Sequence, residues 1–276
     1  MAMNRDLVGK EYAALPPFEV TAAAARAYAE ASNALDLQCY DDAIAPPMYG
    51  VAFSLPALGA PLFDPMVHVD MMRLVHGEQD MRFLAPVRHG DVITARSKIE
   101  AITEKSSGEI IQVGITCSNQ RGEVVLLASS GLFIRGSRKK ESGDAPQERR
   151  ADEDALAPVA WTSTEAVAAD QSRRYAPASG DMNPIHTDEE VAKMAGLPGV
   201  ILHGLCTMAF VHNACVRHVG GDALRVKRLA VRFARPVLMN DILSLHARGP
   251  ATGPWQLHVS NQAGVVVLSH GTAEII

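Results

Sequence analysis

The sequence predicts an α+β protein built from two tandem copies of one small domain, each an antiparallel sheet wrapped around a helix. Three observations lead there. Segments recur in the same order at an offset of about 150 residues, the size of a small domain. A polar stretch separates the copies. Within each copy the apolar pattern reads as helix, irregular stretch, second apolar helix and then three strands.

Four segments carry the duplication. Arg26-Ala27-Tyr28-Ala29-Glu30-Ala31-Ser32 recurs as Arg173-Arg174-Tyr175-Ala176-Pro177-Ala178-Ser179, each at the end of a helical stretch opening near Thr21 or Thr164. Ala52-Phe53 recurs as Ala209-Phe210. Arg82-Phe83-Leu84-Ala85-Pro86-Val87 recurs as Arg232-Phe233-Ala234-Arg235-Pro236-Val237, and Ser118-Asn119-Gln120-Arg121-Gly122 as Ser260-Asn261-Gln262-Ala263-Gly264. These divide the chain into a first domain over 1–136, a linker over 137–152 and a second domain over 153–276. The linker is nearly all polar, mixes both charge signs and has no apolar periodicity to bury.

The second helix of each copy runs from Pro47 to about Leu58 and from Gly204 to about Arg217, apolar enough to be buried. Strands follow over Asp91–Thr103, Glu109–Ser118 and Glu123–Ile134, with counterparts over Asp241–Gly249, Trp255–Ser260 and Val265–Ile275. The last two strands of each set are joined by Asn-Gln-Arg-Gly or Asn-Gln-Ala-Gly, short hairpin turns. Two such sheets can join edge to edge, which hides exposed strand edges.

Composition narrows the class of protein. With 47% hydrophobic and 21% charged residues the chain is globular, and a formal charge of -5 argues against non-specific nucleic-acid binding. Cys39, Cys117, Cys206 and Cys215 form no CxxC pair and sit in apolar stretches, so neither disulfides nor a zinc site is expected. The N-terminus lacks a signal-peptide layout, and no apolar run reaches transmembrane length, so no membrane association is expected and a cytoplasmic address is.

Chemistry concentrates in Ser179-Gly180-Asp181-Met182-Asn183-Pro184-Ile185-His186, where a carboxylate, an amide and an imidazole share one loop. Pro184 stops a helix, Gly180 permits an unusual turn, and Asn183 can bond the local backbone, so Asp181 and His186 can face one point. Such a pair can grip one water and exchange the roles of base and acid that hydrating a polarised double bond requires. The plainer reading is an Asx turn that satisfies backbone amides, with His186 packed structurally. Comparison of the copies weighs against it: Ala34 stands opposite Asp181 and Cys39 opposite His186, so the scaffold recurs without the chemistry. Pro47 stands opposite Gly204, replacing a backbone donor at a helix start with a residue that has none. An amide at that start is suited to developing negative charge on a thioester carbonyl, although a helix start that merely needs a small residue would also explain Gly204.

Other residues carry less. Arg225, Lys227, Arg228, Arg232 and Arg235 read as a solvated face before they read as a phosphate clamp, and His68, His89, His212 and His218 as structural or exposed. Asp181, His186 and Asp188 are ligand types at a spacing that matches no metal motif, so no metal is expected.

The stretch from Tyr175 to His186 with Leu202-His203-Gly204 resembles the signature of the hydratase 2 and MaoC-like family. His76-Gly77-Glu78-Gln79 and the repeated Arg-Phe-x-x-Pro-Val segments extend the resemblance over nearly the whole chain. The resemblance implies a double hotdog fold with a degenerate first half that leaves room for acyl tails. It implies (R)-specific hydration of trans-2-enoyl-CoA thioesters and the reverse dehydration, with Asp181 and His186 catalytic, the Gly204 amide as oxyanion hole, and Asn183 and His203 supporting. No cofactor is implied, the partner is the acyl-CoA substrate, and a homodimer is expected. A carrier-protein dehydratase or a non-catalytic thioester-binding subunit are the alternatives. Pro177 and Ala178 depart from the family pattern.

Overall fold

The computed structural model describes residues 2–37, 44–136 and 157–276. The expected linker over 137–152 therefore lies outside the described residues, and so does Cys39. Ten strands, opening with the two-residue β1 (Phe18–Glu19), form one sheet in the order β1-β3-β4-β5-β2-β7-β10-β9-β8-β6. Every strand pairing among the described residues is antiparallel, and the two halves meet edge to edge where β2 (Leu74–Phe83) pairs with β7 (Val226–Phe233). With helices packed on the inner face, this is the double hotdog.

The expected strands stand where alternation placed them, as β3 (Val92–Lys105), β4 (Gly108–Ser118), β5 (Val124–Arg135), β8 (Ile242–Arg248), β9 (Trp255–Asn261) and β10 (Val266–Ile275). In β3, Ile93, Ala95, Ser97 and Ile99 are buried while Arg96, Lys98 and Glu100 face solvent, the period of a half-buried strand. The hairpins repeat in atomic detail. Asn119 Oδ1 accepts from the amides of Arg121 and Glu123, and Asn261 Oδ1 from those of Ala263 and Val265. Gln120 and Gln262 reach back in the same way, to Val92 and Asp91 and to Ile242 and Asp241.

Other expectations need correction. Thr164 does not open a helix: it lies in β6 (Val159–Ala166), whose residues pair with β8 and bury Trp161 against the core. The second copy's helix instead spans Gln171–Ser179, while its counterpart Ala22–Ala31 does begin at Thr21, whose Oγ1 accepts from Ala24. The seam strands β2 and β7 were not among the three expected per copy. The first copy's second helix is not continuous either. It runs from Pro47 to Phe63 in alternating 3-10 and α pieces, because Pro56 and Pro61 each remove a donor from the ladder. Its counterpart Gly204–His218 is an unbroken helix whose residues from Leu205 to Val216 are all buried, as an all-round apolar helix must be.

Arg228 fastens the seam on its outer face. It donates to both Asp80 oxygens and to Glu274 at 2.6–3.1 Å. Arg225 is tied to the carbonyls of Val219 and Ile276. The cationic stretch is thus in part a structural tether rather than a freely solvated face. Cys117, Cys206 and Cys215 are buried thiols. No helix among the described residues is long and apolar enough to cross a membrane.

Candidate active site

Local sequence builds the loop that carries Asp181. The helix Gln171–Ser179 stops at Gly180, which takes a left-handed φ of 79° and bonds its amide to Ala176 at 2.9 Å. Pro177 sits inside that helix without ending it. The turn delivers Asp181, whose Oδ1 accepts from the Asn183 amide at 3.2 Å, and Asn183 Oδ1 accepts from Ile185 at 3.3 Å as cap of the short Pro184–His186 turn. The Asx geometry of the plainer reading is therefore real. It uses one Asp181 oxygen and leaves the other without a hydrogen bond from a described residue.

His186 is 8% exposed, and its Nδ1 lies 2.9 Å from the Ile201 carbonyl. A carbonyl only accepts, so Nδ1 carries the proton and Nε2 keeps its lone pair. His203 follows the same logic from the other side: its Nε2 donates to the Asp181 carbonyl at 3.0 Å, and its buried Nδ1 has no partner among the described residues. The rings of His186 and His203 stack with centroids 3.8 Å apart, and Tyr175 packs on His203 at 5.0 Å. Burial pulls the pKa of both imidazoles down, with Asp181 opposing and, for His203, the neighbouring His186 adding to the effect. Both rings are neutral at pH 7.

Polar atoms of Asp181, His186 and His203 lie within 4.8 Å of one another. Stacked rings send their in-plane lone pairs side by side rather than to one centre, so the cluster is better suited to gripping a water than to closing around a metal. Asp188, the other ligand-type residue nearby, is spent capping the next helix through the amides of Glu190 and Val191.

Gly204 is the first residue of the long helix, where the amide has no intrahelical partner, and His203 before it provides no side-chain cap. A Cβ on Gly204 would meet the Phe233 ring at 3.0 Å. Both readings of this glycine hold together: the position has an open amide and also needs a small residue. All five residues expected at the site, Asp181, Asn183, His186, His203 and Gly204, belong to one connected cluster in the second half.

Two neighbours were not among the expected site residues. Phe233 closes over Gly204, and His76 of β2 stands edge-on to Phe233 at 5.4 Å, near enough to Asp181 for that charge to act on it. The only sequence signals for them were the repeated Arg-Phe segment and the His-Gly-Glu-Gln resemblance. Neither indicated that the two residues touch.

Residues 149–266 match the family described as MaoC like domain, and residues 6–128 match the FAS1-like dehydratase domain region. A probable enoyl-CoA hydratase 2 of Dictyostelium discoideum is 31% identical over 215 residues, covering 76% of this chain and 72% of the relative. The 3-hydroxyacyl-thioester dehydratase Y of Mycobacterium tuberculosis is 30% identical over 249 residues, covering 83% of this chain and 81% of the relative. Among solved structures, a MaoC-like dehydratase from Phytophthora capsici superimposes with a TM-score of 0.79 at 23% identity, covering 99% of this chain and 98% of that one.

Proposed function

Because the chain belongs to the hydratase 2 and MaoC-like dehydratase family, we propose that this hydro-lyase reversibly adds water to trans-2-enoyl-CoA thioesters, giving (R)-3-hydroxyacyl-CoA. The observation that carries the reading is the grouping of Asp181, His186 and the Gly204 amide on one half only. At the described counterparts in the first half stand Ala34 and Pro47, which can supply neither a carboxylate nor an amide donor.

The chemistry follows from which atoms are free. A water held between the open oxygen of Asp181 and Nε2 of His186 gives a proton to Nε2 as its oxygen bonds to C3 of the enoyl group. The C2–C3 π electrons move onto the thioester oxygen, where the Gly204 amide at the helix N-terminus receives the charge; one such donor is worth about 3–4 kcal/mol. The imidazolium returns its proton to C2, leaving His186 neutral and the 3-hydroxyacyl thioester complete. Asp181 steadies the imidazolium, Asn183 fixes the turn that aims Asp181, and His203 holds the Asp181 carbonyl. Dehydration retraces these steps.

The test is to follow loss of the conjugated enoyl absorbance with crotonyl-CoA and a medium-chain trans-2-enoyl-CoA, and to resolve the product's stereochemistry. Hydration to the (R) product that is lost in both Asp181→Asn and His186→Ala supports the reading. Unchanged rates in these variants would remove the site assignment, and binding of the CoA esters without turnover would favour a thioester-binding or carrier-protein role.

A further inference from the structure

We propose that the first half supplies the second half's site with a positioning residue: His76 clamps Phe233 against Gly204 and thereby holds the start of the long helix, with its open amide, in place. The clamp itself stands on geometry alone; that the amide it holds serves hydration rests on the function proposed above.

His76 reaches the site because of where β2 runs and how it bends. β2 is the first half's seam strand, and its pairing with β5 shifts register between His76 and Glu78, leaving Gly77 as an extra residue. A bulge of this kind re-aims the neighbouring side chain. The imidazole meets Phe233 edge-on, at 5.4 Å and 80°. On the other side of the contact, Phe233 Cδ1 and Cε1 lie 3.0 Å from the position of a Cβ on Gly204. His76, Phe233 and Gly204 thus form a series of neighbours that runs from the seam strand to the helix start.

The imidazole is itself braced from behind. Its Nε2 lies 3.0 Å from Gln79 Oε1, and Gln79 is 5% exposed. Gln79 is oriented by Ser130, whose hydroxyl donates to the same Oε1 at 2.7 Å, and by its own Nε2 donation to the Asp80 carbonyl. Oε1 can only accept, so His76 donates from Nε2 and the ring plane is fixed.

The far end of the seam provides an internal control. Glu78 pairs with Arg232 and Arg82 with Arg228, so His76, two residues before Glu78, is matched by Val226, two residues before Arg228. Val226 lies with Phe83 and Pro47 around a small, mostly apolar pocket. There the seam strand offers Phe83 an aliphatic residue, the imidazole edge-on to Phe83 at 5.2 Å being that of His212 on the long helix, and the helix start beside it is proline, which has no amide to aim. A histidine on the seam strand is thus present at the Gly204 end and replaced by valine at the Pro47 end.

The experiment compares His76→Ala, His76→Gln and His76→Phe in the full chain by two readouts. The first is kcat and KM for crotonyl-CoA. Expected is a kcat loss of about tenfold or more for the Ala and Gln variants with KM changed by less than about threefold, since misplacing a catalytic group costs turnover before binding. The Phe variant, which keeps an aromatic edge against Phe233, should recover most of the rate. The second readout is amide hydrogen exchange by mass spectrometry over residues 204–210, which needs no reaction: faster exchange in Ala and Gln, and wild-type exchange in Phe. Exchange over 204–210 unchanged in folded His76→Ala, or loosened only in the seam strands 74–83 and 226–233, would overturn the proposal. If His76→Ala does not fold, the Gln and Phe pair decides the matter. If the wild-type chain hydrates neither CoA ester, the functional reading fails on its own, and the exchange comparison still decides the role of His76.

Discussion

The hydroxyls of Tyr28 and Tyr175 lie 3.0 Å apart in the centre of the molecule, both residues fully buried. They are each other's counterparts in the internal repeat, so the contact marks where the two halves turn about one another. Their rings pack at 5.4 Å, and Tyr175 passes the contact on to His203 at 5.0 Å. Burial raises the pKa of both phenols, which therefore stay neutral. Replacing either tyrosine with Phe leaves the other hydroxyl buried without its partner, at a cost of about 1–3 kcal/mol. Tyr28→Phe should lower Tm by roughly 2–4 °C per kcal/mol lost, and Tyr28→Phe with Tyr175→Phe should recover part of it. Denaturant unfolding of the two single variants and the double variant measures the coupling; additive losses would contradict a direct bond.

Gly204→Pro transplants the first half's residue into the second. Proline is well accepted at the first position of a helix, and His203 already has the extended ψ of 131° that a following proline favours. The helix should form with Phe233 displaced slightly, while the oxyanion donor is gone. Turnover of enoyl-CoA should fall by about 10²–10³ while the far-UV circular dichroism is kept. Residual rates within a few-fold of wild type would argue that the amide receives no charge.

What could be read from the sequence was local. Asn119 and Asn261 announce their hairpins because each side chain caps amides two and four residues on. The Asp181–His186 loop was legible for the same reason, its turn bonds lying within the motif. Thr164 was misread because a threonine before a polar stretch looks like a helix cap, whereas pairing with Ser244 across the sheet puts it in β6. Two prolines fragmented a helix that apolar content alone made continuous. His76 and Phe233 are 157 positions apart by their numbering and meet only through the seam, so no spacing along the chain could reveal their contact.

The seam's charges should matter in a salt-dependent way. Arg228, 26% exposed on its side chain, bridges Asp80 of the first half and Glu274 of the second, and both carboxylates raise its already high pKa. Arg228→Met keeps much of the stem and removes the charge, leaving two facing carboxylates. A loss of about 1–2 kcal/mol is expected, between the values for exposed and buried pairs. Raising the salt to about 0.5 M should shrink it by screening. A loss independent of salt would mean that Arg228 acts through packing alone.

His212 should make the fold acid-labile. It is completely buried in the long helix, edge-on to Phe83 at 5.2 Å, and neither ring nitrogen has a hydrogen-bond partner among the described residues. Burial pushes its pKa down to about 3 from 6.5. The unfolded chain therefore binds a proton that the folded chain refuses between those values, and stability falls as pH drops through that window. At pH 5 this one residue costs about 2 kcal/mol relative to neutral pH; the lowered pKa of His186 and His203 acts in the same direction. His212→Leu replaces an unpartnered imidazole with an apolar side chain of similar size, so stability at pH 7 should be equal or higher. Its advantage over wild type should grow as pH falls from 7 to 5, measured as the difference in urea midpoint. A constant difference across that range would show that His212 is not the group taking up the proton.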